Sequence, residues 1–284
     1  MKIRRASSRS SFRRNGRGVS PAISTVMLTS AIVVLLLVTI VFANNFLNAQ
    51  LANNDYSAMK QFMQTAGLQL DDVAWTIGRT QTIRYASKSG QVGFQPGALS
   101  YSVYVKNGTS WVPVLTSTTG IILFNMPIYK YSISNNYFQR LVPSGDSSFL
   151  QQGTSAPIAQ VFIVEKVPMP DGNYIRVVLA PSIRMLNSTI IGSQTQKYYE
   201  FYLPCLVQGS SPLYSKSITM ASQNVARISA VNSIMINATF PNGSLGFNSA
   251  FFNFKSTTVT VNLPSGSIVE FYSGEVIVSL GLYP

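Results

Sequence analysis

Nine carboxylates and a single thiol are among the side chains here that could serve as acid, base or strong nucleophile. Histidine is absent from all 284 residues. That removes the Ser-His-Asp triad, Cys-His pairs and nearly every catalytic zinc arrangement. The carboxylates are Asp55, Asp71, Asp72, Asp146, Glu165, Asp171, Glu200, Glu270 and Glu275. A glycosidase needs only two of them. Asp71 and Asp72 are the one pair adjacent in sequence, and neighbours on a helix point about 100° apart. A solvated face or a local cap is therefore expected there, not an acid/base pair. Cys205 lies in the apolar stretch FYLPCLV and is expected to be an inert core residue. One cysteine also excludes an intramolecular disulfide. No P-loop, GxGxxG, CxxC or EF-hand spacing occurs, so no cofactor, no metal site and no enzymatic activity are expected.

The elements that must carry these residues begin with a charge boundary. Seven basic residues and no acidic one precede Gly18, and Gly18–Asn54 carries no charge at all. The formal net charge is +12. Beyond Gly18 there remain 14 basic against 9 acidic residues, spread without a stripe that could track phosphates. The basicity thus reports membrane topology, and no nucleic-acid partner is expected. Residues 1–18 read as a basic leader. Residues 19–78 read as one long N-terminal helix, with an apolar transmembrane part at about 21–47. At about 1.5 Å per residue, Ala22 to Ala43 covers the roughly 30 Å of a bilayer's hydrocarbon core. Pro21 is tolerated because first-turn amides have no intrahelical partner. The positive-inside rule keeps the leader cytoplasmic and puts the remainder outside.

Past the apolar part, Leu51, Asp55/Tyr56, Met59, Phe62/Met63, Ala66, Leu70, Val73/Ala74 and Ile77 recur at three-to-four spacing. The second half of the helix is therefore predicted to be amphipathic and to pack on its own domain's sheet. From Thr80 the period falls to two. Ten segments read as strands: TQTIRYA, ALSYSVYV, GTSWVPVL, GIILF, AQVFIVEKV, NYIRVVLA, TQKYYEFYLPCLV, NVARISAVNSIMINATF, STTVTVNL and SIVEFYSGEVIVSL. The predicted fold class is α+β: the long helix, then a mostly antiparallel β-sandwich-like domain over residues 79–284, facing outside.

N-glycosylation acceptor triplets start at Asn107, Asn187, Asn237 and Asn242. A chain this rich in Asn, Ser and Thr holds about that many by chance, so the number carries no weight. Their turn-like, extracellular setting makes them candidate glycan sites. The aromatic stretches TQKYYEFYLP and GFNSAFFNFKS read as core faces with ordinary surface tyrosines, in preference to a sugar-binding face.

The junction RG-VSPAISTVMLTSAIVVLLL resembles the class III signal peptide and N-terminal helix of archaeal type IV pilins and pilin-like proteins. Those typically read basic residue, Gly or Ala, then a VSPVIGT-like apolar sequence. The resemblance covers about residues 13–50. It implies cleavage by a prepilin peptidase at Arg17-Gly18, with Val19 as the first mature residue. It also implies polymerisation with other pilin-like subunits through the helix, with Pro21, Ala22, Ile23, Val26 and Leu28 among the assembling residues. Ile23 stands at the fifth mature position, where the bacterial-type pilin has Glu, a residue many archaeal members also lack. The globular part is large beside small major pilins, which favours a minor or specialised subunit.

The expected function is a structural subunit of an archaeal type IV pilus-like surface filament. Membrane lipid would be its partner before assembly, and the β domain would be displayed for adhesion or surface contact. The alternative is a non-polymerising, single-pass membrane-anchored surface binding protein. A carboxylate-dependent extracellular hydrolase ranks third. Val41-Phe42-Ala43 also has signal-peptidase spacing, and a cut before Asn44 would release a soluble domain.

Overall fold

A computed structural model describes residues 21–107, 109–131, 133–145, 148–166, 172–191, 195–210, 216–230, 233–264 and 266–281. Side chains of 107, 166, 195 and 223–230 lie outside the description. The protein is an α+β molecule with one long N-terminal helix followed by a mostly antiparallel β domain.

Helix α1 runs over Pro21–Ala74. No proline interrupts it after its first residue. Its buried residues are Ala52, Tyr56, Met59, Phe62, Met63, Ala66, Leu70, Val73 and Ala74, a three-to-four spacing that makes one stripe of the second half. The chain leaves the helix where the Thr76 amide donates to the Val73 carbonyl (3.2 Å) and the Arg79 amide to that of Thr76 (3.0 Å). Compact packing divides the chain between Met1–Asn48 and Ala49–Pro284, so the second half of α1 belongs to the β-rich unit.

Thirteen strands follow among the described residues: β1 (Thr80–Arg84), β2 (Gln91–Asn107), β3 (Ser110–Pro127), β4 (Phe138–Val142), β5 (Leu150–Gln152), β6 (Ala159–Lys166), β7 (Tyr174–Pro181), β8 (Ile183–Ile191), β9 (Thr195–Gln208), β10 (Ser217–Ala230), β11 (Ser233–Thr239), β12 (Thr258–Asn262) and β13 (Ile268–Ser279). A short helix, α2 (Ser249–Phe252), precedes β12. One sheet has the order β1-β10-β13-β9-β8-β5 and the other β12-β11-β2-β3-β7-β6-β4. Pairing is antiparallel except for β9 with β13 and β5 with β8.

Several predicted strands change form. GTSWVPVL and GIILF fuse into β3, while NVARISAVNSIMINATF divides into β10 and β11. The segments that became β4, β5 and β8 carry weak alternation and short apolar runs, and period counting passed over them.

Two apolar layers form. Between the sheets lie Tyr101, Leu123, Phe162, Val178, Phe201 and Phe271, among others. The second layer joins the buried stripe of α1 to Ile122, Phe124, Val161, Val177 and Leu179 of one sheet and Leu206, Met220, Val276 and Val278 of the other. Residues 121–124 of β3 alternate between the two layers and all are buried. A strand covered on both faces reads as an unbroken apolar run, which is why GIILF shows no alternation. The sheets are tied where the Leu206 amide donates to Thr119 Oγ1 (2.8 Å).

The end of α1 approaches β13 at Gly274. A Cβ there would lie 2.4 Å from the Ala74 carbonyl oxygen, so this contact requires glycine.

Candidate functional site

The largest chemical anomaly is the first half of α1. Of the proposed assembly residues, Pro21, Ala22, Ile23, Val26 and Leu28 all lie on it and are exposed. Ile23 is 50% exposed, Val26 64% and Leu28 63%, and the apolar side chains through Leu47 continue in the same way. None of this segment carries charge. Among the described residues α1 is the one helix long and apolar enough to cross a membrane. Arg17, Gly18 and Val19, the predicted processing residues, lie outside the described residues.

Three threonine hydroxyls within the apolar run are satisfied locally. Thr25 donates to the Ala22 carbonyl (2.9 Å), Thr29 to Thr25 and Val26 (3.0 Å each) and Thr39 to Leu35 (2.7 Å). Such back-bonding removes the main cost of taking a hydroxyl into hydrocarbon. The segment can thus enter lipid or a helix bundle without an orphaned side-chain donor from these threonines.

Of the carboxylates, Asp146 and Asp171 lie outside the described residues, and Asp55, Asp71, Asp72 and Glu165 each hold an amide or a guanidinium. Asp71 accepts two hydrogen bonds from the Arg184 guanidinium (2.7 and 3.1 Å) and one from Trp75 Nε1 (2.9 Å). Asp72, on the neighbouring face, pairs with Arg79. Asp55 accepts the backbone amides of Lys88 and Ser89, both at 2.8 Å. Glu165 is buried and accepts the Asn136 amide at 2.6 Å.

Sequence inspection missed one carboxylate pairing. Glu200 and Glu270 stand opposite each other in the parallel β9–β13 ladder. Seventy residues separate them, and only the register could reveal the neighbourhood. Each accepts a hydrogen bond from the tyrosine two residues on: Tyr202 to Glu200 (2.9 Å) and Tyr272 to Glu270 (2.6 Å). The two rings stack at 4.9 Å, and Tyr202 also meets Trp75 edge-on at 5.1 Å and the Arg184 guanidinium at 5.2 Å. Burial first, then the Glu200 hydrogen bond, pushes the Tyr202 hydroxyl pKa up to about 12. Among the described residues no group of three or more Cys, Asp or Glu could hold a metal.

Cys205 is buried, within 3.3 Å of Ser273 Oγ, and burial pushes its thiol pKa up. A protonated, enclosed thiol is a poor nucleophile. The aromatic stretch around α2 is core: Phe247, Phe251 and Phe252 are buried, with Phe240 and Phe254 stacked on Phe252.

The four candidate glycan acceptors are scattered. Asn187 is exposed on β8. Asn237 is half-buried on β11, with its Oδ1 enclosed and unbonded. Asn242 donates its side-chain amide to the Pro96 carbonyl at 2.8 Å, engaging the nitrogen that a glycan would need. Asn107 ends β2, and its side chain lies outside the described ones.

Comparison with protein-family models, curated proteins and solved structures returns no match.

Proposed function

We propose that this chain is a structural subunit of an archaeal type IV pilus-like surface filament. The observation that carries the reading is the division of α1. One half is uncharged and wholly exposed, and the other is locked into a β-rich unit. Before assembly, the apolar half holds the subunit in the membrane with the leader in the cytoplasm. A prepilin peptidase then cuts between Gly18 and Val19, and the helix moves from lipid into a filament of like subunits. Because lipid is already apolar, helix packing drives that transfer rather than release from water. The β domain is carried outside for adhesion or surface contact.

The test is the N-terminal residue of the native protein, read by mass spectrometry on membrane and sheared-surface fractions. A start at Val19 is expected. A start at Met1 overturns the reading in favour of a plain anchor, and one at Asn44 in favour of a secreted domain. A Gly18→Trp variant should be excluded from filaments, whereas an anchor that does not polymerise would be indifferent to it.

A further inference from the structure

Two loops of the β-rich unit are fastened to the first turns of α1 that this unit contains. The loop between β1 and β2 is pinned by Asp55, whose carboxylate accepts the amides of Lys88 and Ser89, both at 2.8 Å. The loop between β3 and β4 stacks its Tyr131 ring on Tyr56 at 4.6 Å. Lys60, one turn further on, holds its Nζ 4.9 Å from the centre of the same Tyr56 ring. Asp55 lies eight residues past Leu47, where the apolar stretch ends, and eight helical residues cover about 12 Å. The chain itself therefore tethers both loops close to any bilayer that α1 enters.

The second loop begins with a turn in which the Lys130 amide donates to the Pro127 carbonyl at 2.9 Å. That turn leaves Ile128, Tyr129 and Lys130 exposed. Tyr129 is 80% exposed, more than any other described aromatic side chain, and the Lys130 ammonium lies 5.5 Å from its ring centre. Lys88 is exposed on the first loop. Neither loop contains an acidic residue, and the Asp55 carboxylate is engaged by the two amides it holds. Tyrosine with lysine beside it suits a membrane–water interface, where the ring sits at headgroup level and the ammonium reaches the phosphates.

We propose that these two loops form a second membrane contact, selective for anionic lipid headgroups. Ile128 and Tyr129 enter the headgroup layer, and Lys88 and Lys130 meet lipid phosphates. Each lysine held near an anionic surface strengthens such a contact about fivefold. Because Asp55 and Tyr56 already fix the loops, little new chain has to be ordered when the contact forms. The tether from α1 makes the encounter intramolecular, so even a weak attraction is enough to fill it. This contact rests on the membrane stage of the reading above, and it holds the β-rich unit to the bilayer until the helix leaves.

The experiment places the full-length protein in nanodiscs of phosphatidylcholine, with or without phosphatidylglycerol, whose chains are brominated or plain. Tyr129→Trp reports the loop once the emission of the wild-type protein, from Trp75 and Trp111, is subtracted. With phosphatidylglycerol present, brominated chains should quench the added emission by about twofold or more. In phosphatidylcholine alone the quenching should be weak. Adding Lys88→Glu and Lys130→Glu should remove most of it, and about 1 M salt should do the same without those substitutions. The salt series decides the matter if the charge-reversed variant melts early. Unquenched emission in the anionic discs overturns the proposal, as does quenching that ignores phosphatidylglycerol, charge reversal and salt alike. A chain that does not enter nanodiscs overturns the membrane stage and this contact together. One that enters with position 129 unquenched overturns this contact alone, and the N-terminal residue of the native chain is read separately.

Discussion

The two halves of α1 share a helix and almost nothing else. Over Pro21–Asn48 the apolar side chains are exposed all round, and no residue of that stretch is buried. Over Ala49–Ala74 a single stripe is buried, Asp55, Lys60 and Asp71 are half-buried beside it, and Gln61 and Asp72 are exposed. Burial of each large apolar side chain in that stripe contributes about 1.5–3 kcal/mol to the fold. The first half contributes nothing of the kind, because its side chains have no protein neighbours to leave water for. One helix thus meets two environments: a protein core for one half, and no protein core for an apolar run long enough to cross a membrane in the other.

The largest effect expected from breaking that division is in the packed half. Leu70 is fully buried in the apolar layer that joins α1 to the two sheets. Leu70→Ala should cost about 2–5 kcal/mol and lower the domain's melting temperature by about 5–15 °C. A loss below about 1 kcal/mol would mean that the stripe does not hold the helix to the sheets. Membrane association of the same variant should be unchanged.

The reverse experiment places a charge in the exposed half. Leu35 is 65% exposed in the middle of the uncharged run. Leu35→Arg should raise the cost of membrane insertion by about 2.5–3.5 kcal/mol and shift protein from the membrane to the soluble or degraded fraction. The melting temperature of the β domain should stay put. If Leu35→Arg instead destabilised the domain while leaving fractionation untouched, the assignment of the two halves would be reversed.

How much of this was legible follows from the range of the interactions involved. The helix could be read because its signals are local: no internal proline, an uncharged run, then a stripe at three-to-four spacing. The amphipathic stripe from Tyr56 to Ala74 matches the buried set nearly residue for residue. Strands with one covered face, such as β2 through Tyr101, Val103 and Val105, were equally readable. Sheet order was not, because the parallel β9–β13 pairing joins segments about seventy residues apart and leaves no periodic mark on either. For the same reason Glu200 and Glu270 looked isolated, while Asp71 and Asp72, adjacent in sequence but not expected to act as a pair, serve separate arginines.

Those two aspartates sharpen the comparison within the packed half itself. Asp71 holds Arg184, which is only 12% exposed, through a two-pronged ion pair. Asp71→Ala leaves that guanidinium half-enclosed without its carboxylate and should cost about 1–3 kcal/mol. The Asp72–Arg79 pair is 47% and 40% exposed. Asp72→Ala should change stability by less than about 1 kcal/mol, and less still in high salt. Equal losses in urea titrations of the two variants would show that burial does not separate these neighbours.

The smallest expected effect is alkaline and belongs to the packed half alone. Gly18–Asn54 contains no ionisable side chain, so membrane partition of the apolar half should not depend on pH. Tyr202 packs on Trp75, directly after α1, and its folded-state pKa of about 12 exceeds the unfolded value near 10. Between those two values the unfolded chain releases the proton while the folded protein keeps it. The unfolded state then binds fewer protons, so the stability linked to Tyr202 is intact below pH 10 and is lost as pH rises toward 12. Buried Tyr56 and Tyr101, whose pKa values are also raised, add to the same fall, so the informative quantity is a difference. Tyr202→Phe should lose less stability than the wild-type protein between pH 9 and 12, as followed by urea midpoints. Identical slopes would remove Tyr202 from the linkage and leave the remaining tyrosines to account for it.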